Sequence, residues 1–162
     1  MKNYLFLTII AAFFIGLISC ETMDDPEMTT TSTWPLNGEY RVTYDSTANG
    51  NPFFSERHAL IITNTSADNG DSIVINDASG TGYKYKAAVN MTQLSFSAEN
   101  YQYDSTTTIT VSNAKLIEDG TKSPYEDVVT DSLYMEVEIT TPTGTDAITI
   151  SGYKYAGWAN YP

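Results

Sequence analysis

Between Trp34 and Pro162 the apolar residues fall on alternate positions, the period of a strand with one buried face. From Asp131 to Thr141, Leu133, Met135, Val137 and Ile139 share one side, while Ser132, Tyr134, Glu136 and Glu138 share the other. A helix would scatter those four apolar residues around its circumference. The same period runs through Tyr40, Val42 and Tyr44, through Leu60 and Ile62, through Ile73 and Ile75, and through Tyr83, Tyr85, Ala87 and Val89. Leu94 with Phe96, Ile109 with Val111, and Ile148 with Ile150 complete a set of about eight strands.

Turn chemistry separates these segments: Ala48-Asn49-Gly50-Asn51-Pro52, Asp68-Asn69-Gly70-Asp71, Ala78-Ser79-Gly80-Thr81-Gly82 and Pro142-Thr143-Gly144-Thr145. Short alternating strands between such turns predict an all-β domain, a single antiparallel meander closed into an up-and-down barrel. A two-sheet sandwich is the alternative. In the last strand the aromatic face shifts from Ile148 and Ile150 to Tyr153 and Tyr155 around Ser151-Gly152, which predicts a bulge or bend there.

Upstream the pattern changes. One positive charge at Lys2 precedes an apolar run that ends at Ser19, the form of a secretory signal over residues 1–19. The run is short for a membrane span of about 20 residues, and acids follow it directly. Leu17-Ile18-Ser19-Cys20 resembles the lipobox of bacterial lipoproteins, which implies cleavage after Ser19 and lipid attachment at Cys20, the only cysteine. Residues 20–33 then read as the lipidated cysteine and an acidic, Thr-rich tether, and 34–162 as the domain. Glu21, Asp24 and Asp25 resemble the export signal of Bacteroidota lipoproteins that reach the cell surface.

The formal net charge is −12, and removing Lys2 with the signal makes it −13. Nucleic acid is excluded as a partner, because phosphate binding needs clustered cations. Adsorption to anionic lipid is disfavoured on the same ground, so attachment to the membrane would come from the acyl chains.

Over nearly the whole domain the chain resembles a family of Bacteroidota lipoproteins catalogued as lipid-binding putative hydrolases. The resemblance is carried by Trp34-Pro-Leu-Asn-Gly-Glu-Tyr40, Asn69-Gly-Asp-Ser-Ile-Val-Ile-Asn-Asp77, Asp131-Ser-Leu-Tyr-Met-Glu-Val-Glu-Ile139 and Ile150-Ser-Gly-Tyr-Lys-Tyr-Ala-Gly-Trp158. It implies a lipocalin-like barrel, and none of these segments is a catalytic signature.

Hydrolase chemistry has few candidates in the residues themselves. His58 is the only histidine, and it stands at a strand start where partial exposure is expected. No Gly-x-Ser-x-Gly elbow is present, and Gly70-Asp71-Ser72 has no histidine after it. One histidine and no available thiol do not make a zinc site. Asp68, Asp71, Asp77 and the group Glu118, Asp119, Glu126 and Asp127 lack the spacing of a calcium loop and read as solvated turns. Neither a catalytic residue, a metal nor a cofactor is expected.

A binding role has more to stand on. The inward faces carry no charge, so Tyr83, Tyr85, Val89, Leu133, Met135 and Val137 are the candidate lining of an apolar site inside the barrel. Periodicity does not separate such a pocket from a packed core. Twelve tyrosines, several in pairs such as Tyr83 with Tyr85, Tyr101 with Tyr103 and Tyr153 with Tyr155, also suit sugar rings if exposed together. Ser46, Ser72, Ser105 and Ser132, each preceded by Asp, resemble the O-glycosylation motif of exported Bacteroidota proteins.

The expectation is therefore a lipoprotein anchored to the outer membrane at the cell surface, binding a small apolar or amphipathic ligand without catalysis. The alternatives are an accessory glycan-binding protein working with outer-membrane uptake proteins, and a hydrolase with an unrecognised site.

Overall fold

The two-residue period places one row of side chains inside a continuous wall and the next row outside it. The computed structural model describes residues 30–124 and 128–155. Its strands are β1 (Gly38–Ser46), β2 (His58–Asn64), β3 (Ser72–Asn76), β4 (Lys84–Asn90), β5 (Ser95–Gln102), β6 (Thr108–Lys122), β7 (Val129–Thr141) and β8 (Gly144–Lys154). Each pairs antiparallel with its successor and β8 returns to β1, closing an eight-stranded up-and-down barrel. Closure gives every strand two neighbours and removes the open edges a sandwich would leave. The fold is the lipocalin-like barrel.

The predicted inward residues meet in one core. Tyr40, Val42, Tyr44, Leu60, Ile62, Ile73, Ile75, Ile109, Met135 and Ile150 have no exposed surface at all. Side chains without any surface leave no space beside them for a water-sized molecule, so the middle of the barrel is packed.

Two strands change face part-way, which the alternation did not reveal. In β6 the inward residues are Ile109 and Val111, then Ala114 and Leu116, because Asn113 (φ 50°) sits at a register shift against β7. An extra residue resets the period by one. In β5 Asn100 (φ 48°) marks a similar shift against β6 between Ala98 and Tyr101.

The bulge expected near Gly152 is not there. The register runs unbroken through Gly152, opposite Val42 of β1 and Leu133 of β7. What requires glycine is close approach: a Cβ at this position would collide with the Arg41 carbonyl oxygen and lie 2.7 Å from the Val42 Cα. Tyr153 and Tyr155 keep the outward parity, where Arg57 lies over the Tyr153 ring (5.6 Å) and Arg41 over the Tyr155 ring (4.9 Å).

At the end where β1 begins, a 3-10 turn, Trp34–Leu36, delivers Leu36 into the core, and the Tyr40 hydroxyl donates to the Leu36 carbonyl at 2.7 Å. The ordered domain reaches upstream of Trp34. Ser32 donates both its amide and its hydroxyl to Asp68 (2.8 Å each), Asn37 donates to the Thr31 hydroxyl (2.7 Å), and Thr33 is buried. Polar side chains can dock by hydrogen bonds without burying apolar area, so composition alone reads them as tether. The expected signal over residues 1–19, Cys20 and the rest of the expected tether to residue 29 lie outside the described residues, as does Trp158.

Candidate functional site

The opposite end of the barrel, where β1 finishes and β2 begins, is built differently. Extending the inward rows by one step past the aliphatic residues reaches polar and aromatic groups: Tyr44 in β1, His58 before Leu60 and Ile62, and Asp77 after Ile73 and Ile75. Asp77 has no exposed surface. Its Oδ1 accepts from the Tyr44 hydroxyl, and its Oδ2 accepts from the Thr81 hydroxyl (2.6 Å) and the Thr81 amide (3.1 Å).

The β3–β4 turn wraps around this carboxylate. The Asp77 amide donates to the Tyr83 carbonyl (2.9 Å), and the Gly82 amide returns to the Asp77 carbonyl (2.9 Å). Gly80 sits where a Cβ would collide with the Tyr44 hydroxyl, so the missing side chain is what lets the turn close over the pair.

Burial pushes the Asp77 carboxyl above its ordinary range, against the opposing donations from Thr81 and Tyr44 and the nearby His58. The Tyr44 and Tyr85 phenols are pushed up as well, first by burial and then by the Asp77 charge. Both phenols are neutral donors at physiological pH.

Aromatic rings surround the cluster. Tyr44 meets Phe54 edge-on (5.1 Å) and His58 edge-on (5.6 Å), and Phe54 stacks obliquely on His58 (4.9 Å). Across the barrel end Tyr83 contacts Tyr103 (4.9 Å) and Tyr85 faces Tyr101 (6.4 Å). The Tyr85 hydroxyl is buried and has no hydrogen-bond partner among the described residues. Leaving such a group unpaired costs about 1–3 kcal/mol, so the position calls for a polar atom from outside this set.

The six candidate lining residues do not form one site. Tyr85, Leu133, Met135 and Val137 are buried core side chains that present almost no surface (2%, 2%, 0% and 2%). Tyr83, just before β4, and Val89, near its far end, are half-buried, and only Tyr83 joins Tyr85 at the aromatic end. What sequence reasoning missed is the Tyr44–Asp77–His58 group. The available signal was a polar residue falling on the inward register beside Ile75 and Leu60.

Among the glycosylation candidates, Ser105 is exposed in the β5–β6 loop, Ser46 and Ser132 are half-buried, and Ser72 is buried, within 3.3 Å of the Thr65 hydroxyl. Of the acids considered for calcium, Asp68 is taken by Ser32, Asp71 by Asn69 (2.8 Å) and Asp77 by Tyr44 and Thr81, while Glu126 and Asp127 lie outside the described residues.

No curated protein matches the chain. A crystal structure of a Bacteroides ovatus protein of unknown function is similar at 15% identity and a TM-score of 0.49, over 82% of this chain and 51% of that one. The chain thus spans about half the length of that protein. A family model described as lipid-binding putative hydrolase matches residues 25–159, nearly the whole domain with part of the segment before it, and the chain belongs to that family.

Proposed function

We propose that this protein is a lipoprotein, anchored through Cys20 and displayed at the cell surface, that binds a small amphipathic ligand at the aromatic end of its barrel without catalysis. Membership of a lipid-binding family and the closed barrel support a ligand-binding role. The observation that carries the finer reading is the buried, unpartnered Tyr85 hydroxyl within a ring of aromatic side chains. An apolar seat with one polar contact point suits a molecule with an acyl body and a polar end. The non-catalytic part is supported by His58, whose contacts are ring packing against Tyr44 and Phe54 rather than a hydrogen bond to a hydroxyl nucleophile.

The anchoring test is fractionation of cells carrying Cys20→Ala, which should lose fatty-acid labelling and release the domain from membranes. For binding, the lipoprotein kept soluble by an amphipathic polymer is titrated calorimetrically with 1-monodecanoylglycerol. Binding should give a negative heat-capacity change, and Tyr85→Phe should weaken it about three- to tenfold. Absence of binding, or ester turnover that disappears in His58→Ala, would overturn the proposal.

A second reading has its own observation. Arg41 and Arg57, the chain's two arginines, lie over Tyr155 and Tyr153 along a groove on the outer wall. Stacked cations and rings on an outer face suit a glycan and, through it, work beside outer-membrane uptake proteins. Glycan-array binding abolished by Tyr155→Ala but untouched by Tyr85→Phe would favour this reading.

A further inference from the structure

β4 and β5 are joined by three register pairs, Ala88↔Ser97, Val89↔Phe96 and Asn90↔Ser95, the fewest of any neighbouring strands in the barrel. Yet β4 begins at Lys84 and β5 continues to Gln102. Continuing the register would set Ala87 opposite Ala98, and that pair does not form. Each strand meanwhile keeps its other neighbour: β4 stays paired with β3 down to Lys84, and β5 with β6 out to Gln102. The strands therefore part. The extra residue at Asn100 bends β5 along β6 and away from β4. Backbone groups of Lys84–Ala87 and Ala98–Gln102 that face the seam lack ladder partners.

A groove of about 490 Å³ opens there, lined by inward Ala87, Ala98 and Tyr101, by outward Lys86, Ser97 and Glu99, and at one end by polar residues of the segment 69–72 before β3. Residues of both parities line it because it lies over the gap between the two strands, open to the outside. Alanine on each side of the seam leaves room there that a larger side chain would fill. Tyr85 is not part of this lining: it lies behind Tyr101, its ring 6.4 Å from that of Tyr101, and its unpartnered hydroxyl is buried.

We propose that the β4–β5 seam is a lateral slot for the acyl chain of a neutral single-chain amphiphile whose hydroxyl end bonds Tyr85 once the Tyr101 ring, which lines the groove in front of it, turns aside. The inference rests on the ligand-binding reading above and adds the seat and the ligand class. The volume lies within the range of about 300–1,000 Å³ that holds one small ligand. A hydroxyl both donates to and accepts from a phenol, whereas a carboxylate would meet the acids that line the groove, Asp71 and Glu99.

Amide hydrogen exchange on the same polymer-held lipoprotein, with and without 1-monodecanoylglycerol, tests the slot. Protection should rise at least tenfold at 84–87 and 98–102 and stay unchanged in β7, and Ala98→Phe should weaken calorimetric binding at least tenfold. Decanoate should bind at least tenfold more weakly than the monoglyceride. Calorimetric binding without protection at the seam overturns the slot and leaves the ligand reading standing. Absence of calorimetric binding overturns both, and equal affinity for decanoate overturns the neutral head. Because the exchange measurement uses the unaltered chain, a folding defect in Ala98→Phe does not obscure the result.

Discussion

The Tyr44 hydroxyl donates to Oδ1 of Asp77 across 33 positions of sequence, tying the end of β1 to the turn after β3 inside the barrel. Two tyrosines near this carboxylate thus differ in one respect, since Tyr85 has no such partner among the described residues. Tyr44→Phe removes a donor from a buried acceptor and should destabilise the unliganded protein by about 1–3 kcal/mol. Tyr85→Phe removes an unpaired hydroxyl and should leave stability unchanged or raised. Urea unfolding of the two variants checks the contrast, and equal losses would show that Tyr85 is satisfied after all.

Because burial raises the Asp77 carboxyl, the folded state holds that proton more tightly than the unfolded chain does. Its contribution therefore favours folding most below the ordinary carboxylate range near about pH 3.9, and is lost as pH rises toward the raised folded value. Asp77→Asn cannot titrate. From about pH 4 to 7 the melting temperature of the unaltered protein should fall more steeply than that of Asp77→Asn. Parallel profiles would mean that Asp77 titrates alike in both states.

On β7 the two faces should respond differently. Met135→Ala empties part of a packed core and should cost about 2–5 kcal/mol, while Glu138→Ala, on the exposed face, should stay within about 0.5 kcal/mol. Glu136 shares the polar face with Glu138 but accepts from Asn113 and from the Tyr134 hydroxyl, both at 2.8 Å. It holds the bulged residue of β6, so Glu136→Ala should be the more damaging of the two glutamate changes. Chemical denaturation of the three variants gives the order.

Gly152→Ala should destabilise the barrel strongly although its strand is regular. The new methyl would be driven into the backbone of β1 at Arg41 and Val42, which cannot move without breaking the β1–β8 ladder. Gly50→Ala, in the β1–β2 loop with nothing near the added carbon, meets only the strain of a positive φ (66°). A calorimetric melt of Gly152→Ala within about 2 °C of the parent protein would contradict the close-approach account.

The strand inventory was legible in the sequence because side-chain direction in a strand depends only on position modulo two, and burial of one face is a local demand. Leu133, Met135, Val137 and Ile139 announce their face without reference to any partner. Eight such strands in sequence allowed a closed barrel or a two-sheet sandwich, and the pairing of β8 with β1 decided for the barrel. The sequence by itself also contained the polar residues of the aromatic end, on the correct register, but without a sign that Asp77 would meet Tyr44 and not water. Only the tertiary structure decided that, since the contact depends on how β1 and the β3–β4 turn close over one another across Gly80. The same holds for the bulges at Asn100 and Asn113 and for the parting of β4 from β5. An inserted residue changes which neighbour a strand follows, and that choice is made by non-local pairing energies which no period along one chain segment records.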